Sequence, residues 1–69
     1  MMKNRYKDTL LTRSKKYDYK VWEHQYYDEI GNYVYNYFIT NYAETSMIIC
    51  KVDDYKEIQR VVNKLRGNK

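Results

Sequence analysis

Between Tyr17 and Tyr27 the chain reads YDYKVWEHQYY, and between Tyr33 and Thr40 it reads YVYNYFIT. Both runs set tyrosine, valine, tryptophan, phenylalanine and isoleucine in near alternation with polar residues, the pattern of half-buried strands. Gly31-Asn32 lies between them and suits a two-residue hairpin loop of type II′, in which glycine supplies the positive φ of the first central position. This loop pairs Ile30 with Tyr33. Side chains alternate with period two, so one face is expected to carry Trp22, His24, Tyr26, Asp28 and Ile30 with Tyr33, Tyr35, Tyr37 and Ile39. The other face then carries Tyr19, Val21, Glu23, Gln25, Tyr27 and Glu29 with Val34, Asn36, Phe38 and Thr40. A loop of three or five residues would exchange the partners between faces.

After a polar stretch at residues 41–46, Met47 to Val52 predicts a third strand, with Ile48, Cys50 and Val52 inward and Lys51 outward. Asp54 is the expected N-cap of a C-terminal helix, with Glu57 three residues on completing a capping box. Tyr55, Ile58, Val61, Val62 and Leu65 form its apolar stripe, and Gly67 suits its end. Residues 1–16 have only Tyr6, Leu10 and Leu11 as apolar positions beyond the two methionines. They read as a basic arm or a short helix ahead of a βββα domain at 17–69. The expected fold is α+β: a three-stranded antiparallel sheet with the helix packed on one face. The Trp22, Tyr26, Tyr37, Ile39 face has more aromatic area and less charge, which assigns it to the core beneath the helix.

The chain has 69 residues, 43% of them hydrophobic and 17% aromatic. That is too apolar for disorder and short enough that the buried core must be small, so a homodimer or a bound partner would help it. A single cysteine excludes an intrachain disulfide and points to a reducing, cytoplasmic home; Cys50 reads as a small buried hydrophobe. No apolar run suggests a signal peptide or a membrane span.

The net charge of +4 is unevenly laid out. Residues 1–20 hold seven Lys/Arg against two Asp, residues 21–57 two Lys against seven Asp/Glu, and residues 58–69 four cations and no acid. The ends are basic and the aromatic centre is acidic.

Little here equips the chain for catalysis. One histidine, one cysteine and two glycines exclude a triad, a phosphate-cradling loop and a histidine/cysteine metal set, so neither cofactor nor metal is expected. The lone His24 leaves one enzymatic alternative, a small ribonuclease with a histidine general base. The element order resembles that of double-stranded-RNA-binding domains and of the sheet-plus-helix DNA-binding domains of integrase arms. That resemblance implies nucleic-acid binding, but where the first family has a cationic helix start this chain reads Asp53-Asp54-Tyr55-Lys56-Glu57. A sheet that reads DNA presents arginines, whereas the expected open face presents glutamates.

The reading that follows is a small non-enzymatic regulator or inhibitor, of the kind found in phage and mobile elements. It is expected to work by protein–protein binding through Gln25, Tyr27, Asn36 and Phe38 on the sheet face left open by the helix. The alternative is nucleic-acid binding through the basic ends, by Arg13, Lys15, Lys16, Lys20, Arg60, Lys64 and Arg66.

Overall fold

A computed structural model describes residues 6–67. Four strands, β1 (Tyr6–Ser14), β2 (Tyr19–Tyr27), β3 (Tyr33–Thr40) and β4 (Met47–Val52), precede one helix, α1 (Tyr55–Leu65). The strands form one antiparallel sheet in the order β1-β2-β3-β4, each strand beside its neighbour in sequence. The fold is α+β as expected, with four strands rather than three.

The additional strand is the segment read as an arm or a short helix, of which residues 1–5 lie outside the described residues. Tyr6 pairs with Tyr26, Asp8 with His24 and Leu10 with Trp22; a bulge follows, and then Thr12 pairs with Val21. The bulge explains why the strand is hidden in the sequence. It inserts an extra residue at the Leu10-Leu11 pair, so the apolar alternation breaks in mid-strand.

The hairpin register also differs from expectation. Tyr27, not Ile30, pairs with Tyr33, which makes the connection five residues long. Asp28 organises this loop: its carboxylate accepts from the backbone N–H groups of Ile30 (3.1 Å) and Asn32 (2.8 Å). Its own N–H donates to the Asn32 carbonyl at 2.9 Å. An aspartate that satisfies the loop backbone in this way competes with the two-residue turn. Gly31 still provides the positive φ, at 90°.

An odd loop exchanges the faces. On the helix side, Tyr19, Val21, Glu23, Gln25 and Tyr27 now align with Ile39, Tyr37, Tyr35 and Tyr33, while Trp22, His24 and Tyr26 join Phe38, Asn36 and Val34 on the opposite side. The core is accordingly Tyr19, Val21, Ile39, Ile58 and Val62, with Tyr37, Ile49, Val52, Val61 and Leu65 packed against it. Trp22 and Tyr26 are not beneath the helix.

In β4 the expected inward set is corrected in part: Val52 packs against the core as expected, but Ile48 and Cys50 do not. Ile49 pairs with Ile39 and Val52 with Tyr37 across irregularities in the ladder, whereas Ile48 is exposed and so is Cys50. The extra residues in β4 shift the period of two, so no strict alternation picks out its buried side.

α1 begins where the sequence indicates. Asp54 caps it, its carboxylate accepting from Lys56 N–H at 2.9 Å, and Ile58 and Val62 are its buried residues. Glu57 does not close a capping box but accepts from Arg60 Nη1 at 2.7 Å. Gly67, at φ 78°, follows the last turn.

Candidate functional site

α1 packs chiefly against β3 and β4, reaching Tyr19 and Val21 of β2 at the basic end, and its first residue meets the sheet at Tyr37, where the Tyr55 ring lies edge-on at 5.2 Å. Beyond Tyr37 the β2–β3 hairpin runs on without a helix above it. Three side chains there form a row on the helix-side face: Tyr27, Tyr33 and Tyr35, which are 62%, 51% and 48% exposed. The rings touch in sequence, with centroids 5.1 Å apart for Tyr27–Tyr33 and 5.7 Å for Tyr33–Tyr35. Ile30 in the loop at the end of the row is 82% exposed.

The row is held by a polar chain. Tyr33 O–H donates to Gln25 Oε1 at 2.5 Å, and Gln25 Nε2 donates to Glu23 Oε1 at 2.7 Å. The half-buried Tyr37 lies next in line, its phenol pushed above the ordinary tyrosine range by burial and then by the Glu23 carboxylate. A hollow of about 250 Å³ opens beside the row, lined by Tyr6, Lys7, Gln25, Tyr26, Tyr27 and Tyr33. Glu23 lies next along the row, bonded to Gln25, and Asp28 and Glu29 lie in the adjoining loop; among the described residues Lys7, which pairs with Gln25, is the cation that lines the hollow.

The opposite face is a second aromatic surface. Trp22 and Phe38 are opposite each other and nearly parallel, 6.1 Å between centroids and 7° between planes. Trp22 Nε1–H donates to Thr40 Oγ1 at 3.0 Å. His24 is ringed by Tyr6, Tyr26 and Phe38, and its Nδ1 lies 2.5 Å from Asp8 Oδ1. The Asn36 side-chain oxygen is buried without a hydrogen-bond partner. A shallow depression of about 300 Å³ runs between Asp8, Trp22, Phe38, Thr40 and Glu44. No element among the described residues lies over this face.

The four expected protein-contact residues therefore separate. Gln25 and Tyr27 belong to the tyrosine row, while Asn36 and Phe38 lie on the far face with Trp22. Phe38 is only 9% exposed, held by its neighbours in the sheet. The expectation missed Tyr33 and Tyr35, because the two-residue loop placed both in the core.

The basic ends do meet. Arg66 Nε donates to Tyr19 Oη at 2.7 Å, and Tyr19 pairs with Ser14 as Lys20 pairs with Arg13. This brings Arg13, Lys15, Lys16 and Lys20 to the same end of the sheet as the last turn of α1 with Lys64 and Arg66. Arg60 stands apart, bonded to Glu57. Lys20 is bonded to Glu44 and lies over the Tyr42 ring, and Asp18 accepts from Tyr42 N–H at 3.0 Å. Two carboxylates thus interrupt the basic end.

The His24–Asp8 pair has the orientation a histidine base needs, with Nδ1 fixed by a carboxylate. No lysine or arginine among the described residues bonds to the pair to hold a phosphate. Among the same residues, no group of three or more His, Cys, Asp or Glu is placed to hold a metal ion, and no helix is long and apolar enough to cross a membrane.

Comparison of the chain with family models, with curated proteins and with solved structures finds no match.

Proposed function

We propose that this chain is a small non-enzymatic regulatory protein, inhibitory in its mode of action, that docks its tyrosine row on a basic surface of another protein. The observation that carries this reading is the exposure of Tyr27, Tyr33 and Tyr35 side by side on a sheet segment that α1 leaves uncovered. Tyrosine supplies large, rigid, amphipathic contact area at low entropic cost, which is why it concentrates at protein-binding hot spots. The bonds from Tyr33 through Gln25 to Glu23 hold the central ring of the row before binding, and Tyr27 and Tyr35 pack against it, which limits the freedom lost on docking. Glu23, Asp28 and Glu29 repel a phosphate backbone and attract lysine and arginine, favouring a basic protein over a nucleic acid. Affinity capture from a lysate of the native host, with and without nuclease, tests the reading. A protein that stays bound after nuclease and is released by moderate salt is expected.

A second reading has one observation in its favour, the Arg66–Tyr19 bond that gathers the N- and C-terminal cations at one end. Nucleic-acid binding there predicts a gel shift with DNA or RNA whose affinity falls steeply with salt. The Glu44 and Asp18 carboxylates within that end place this reading second.

A further inference from the structure

α1 covers only part of its side of the sheet. It starts at Tyr37, where the Tyr55 ring packs, and ends at Tyr19, which bonds Arg66, so it runs along the strands. From Tyr37 back to Tyr33 the same face continues for about 14 Å of strand, with exposed Tyr33 and Tyr35 on β3 and exposed Tyr27 beside them on β2. That length equals about nine residues of helix. We infer that the row is the seat of a helix from the protein partner, an amphipathic segment lying end to end with α1 along the strands. Resting on the docking reading above, this assignment names the form the partner takes at the row.

Three features select a helix. The first is the backbone. Tyr27, Tyr33 and Tyr35 belong to the two central strands of the sheet, so an extended segment laid on their rings would leave its N–H and C=O groups without partners, whereas a helix pairs its own. An added strand finds its partners at a sheet edge, away from the row.

The second is spacing. Centroids 5.1 and 5.7 Å apart leave no slot between the rings, since a proline or a further ring sandwiched there needs about 7 Å, two van der Waals contacts. The occupant therefore lies across the rings. Side chains at i and i+3 or i+4 of a helix are about 5 to 6 Å apart, which sets one apolar residue against each ring.

The third is continuity with the layer already present. Ile58 and Val62, four residues apart on α1, pack on Tyr19, Val21 and Ile39 of the same face, and a helix on the row extends that layer. Charge marks the end of the row beside α1. Glu23 pairs with Tyr37 there, and Asp53 and Asp54 join Val52, the other partner of Tyr37, to the start of α1. These three acids adjoin Lys51 and Lys56, while Glu57 is bonded to Arg60, so acid is in excess and a Lys or Arg of the partner helix belongs at this end. At the loop end Asp28 and Glu29 are offset by Lys7, and Lys3 and Arg5 precede β1 in sequence; that end selects no sign.

The test pans two peptide libraries, each about three helical turns in length, against the full chain. One is held helical by lactam bridges between i and i+4 side chains; the other has the same composition with a central proline, which breaks a helix. The helical library is expected to yield binders with Kd of about 10 to 100 μM, carrying apolar or aromatic residues at helical spacing and a Lys or Arg at one end. Tyr27→Ala and Tyr33→Ala should each weaken these binders about tenfold with the melt unchanged, and Asp53→Lys should weaken them several-fold. A central proline placed in a selected binder should abolish its binding. Binders from the proline library alone, helical binders indifferent to Tyr33→Ala, or no binder from either library overturn the inference. Proline-containing binders that still depend on Tyr33 leave the row as a docking surface for an extended segment, whereas a captured protein partner indifferent to Tyr33→Ala removes the row itself.

Discussion

Trp22 and Phe38 lie directly opposite each other across β2 and β3, on the side of the sheet away from α1. The pair ties the face together by packing and by one hydrogen bond, from Trp22 Nε1 to Thr40 Oγ1. Trp22→Phe keeps a stacked ring and loses the bond. Chemical denaturation should register about 1 kcal/mol of destabilisation, and Thr40→Val should cost a similar amount without adding to it in the double variant.

The position of this pair depends on the five-residue loop, and the loop depends on Asp28. Removing its carboxylate leaves Ile30 N–H and Asn32 N–H without their acceptor. Asp28→Ala should therefore cost about 1 to 2 kcal/mol in a urea melt. Glu29→Ala, next to it and exposed, should stay within about 0.5 kcal/mol. Equal effects for the two variants would show that the loop is not built on Asp28.

The contrast between this loop and α1 shows what was legible in the chain. The helix announces itself locally: Asp54 accepts from the second residue beyond it, and Ile58 and Val62 recur at helical spacing. Strand identity is equally local for β2 and β3, whose composition marks them. Face assignment is not local, because a loop of two or five residues places Trp22 on opposite sides of the sheet while changing nothing in the alternation. Gly31-Asn32 offers a turn that fits its own residues, and Asp28, three positions earlier, overrides it. The same parity problem hid β1, through the bulge at Leu10-Leu11, and misdirected the sides of β4. Half of the expected contact set, Gln25 and Tyr27, remains with the exposed row because it belongs to a single strand. Asn36 and Phe38 were joined to it only through the register.

Cys50 provides a direct check on β4. Its exposure predicts that a thiol reagent modifies the folded protein at close to the rate for an unfolded chain, with no shift in the melt. Modification only after denaturation would place Cys50 inward, as alternation alone suggests.

Ile58 is fully buried at the centre of the contact between α1 and the sheet. Ile58→Ala should cost about 2 to 5 kcal/mol, a large share of the stability of a domain with so few buried residues. The circular dichroism of this variant at 37 °C should show substantial unfolding.

Tyr37 links stability to alkaline pH. Burial, and next the Glu23 carboxylate, raise its phenol above the usual tyrosine value of 10.0. The folded state then holds the proton more tightly than the unfolded state, so unfolding releases it once pH exceeds the unfolded value. This contribution is fully present below pH of about 10 and is lost as pH rises through the folded value. Denaturant midpoints of the wild type should decline across that window, and Tyr37→Phe should flatten the decline; an unchanged slope would contradict the assignment.

The central claim, that the tyrosine row is the docking surface, is tested most directly by titrating the protein partner recovered by capture against wild type, Tyr27→Ala and Tyr33→Ala, with the melt of each variant in parallel. Tyr27 and Tyr33 are more than half exposed, so both melts should remain close to that of the wild type. Hot-spot tyrosines contribute about 2 kcal/mol or more, so each substitution should weaken binding at least about tenfold. Unchanged affinity in two variants that fold normally would contradict the account.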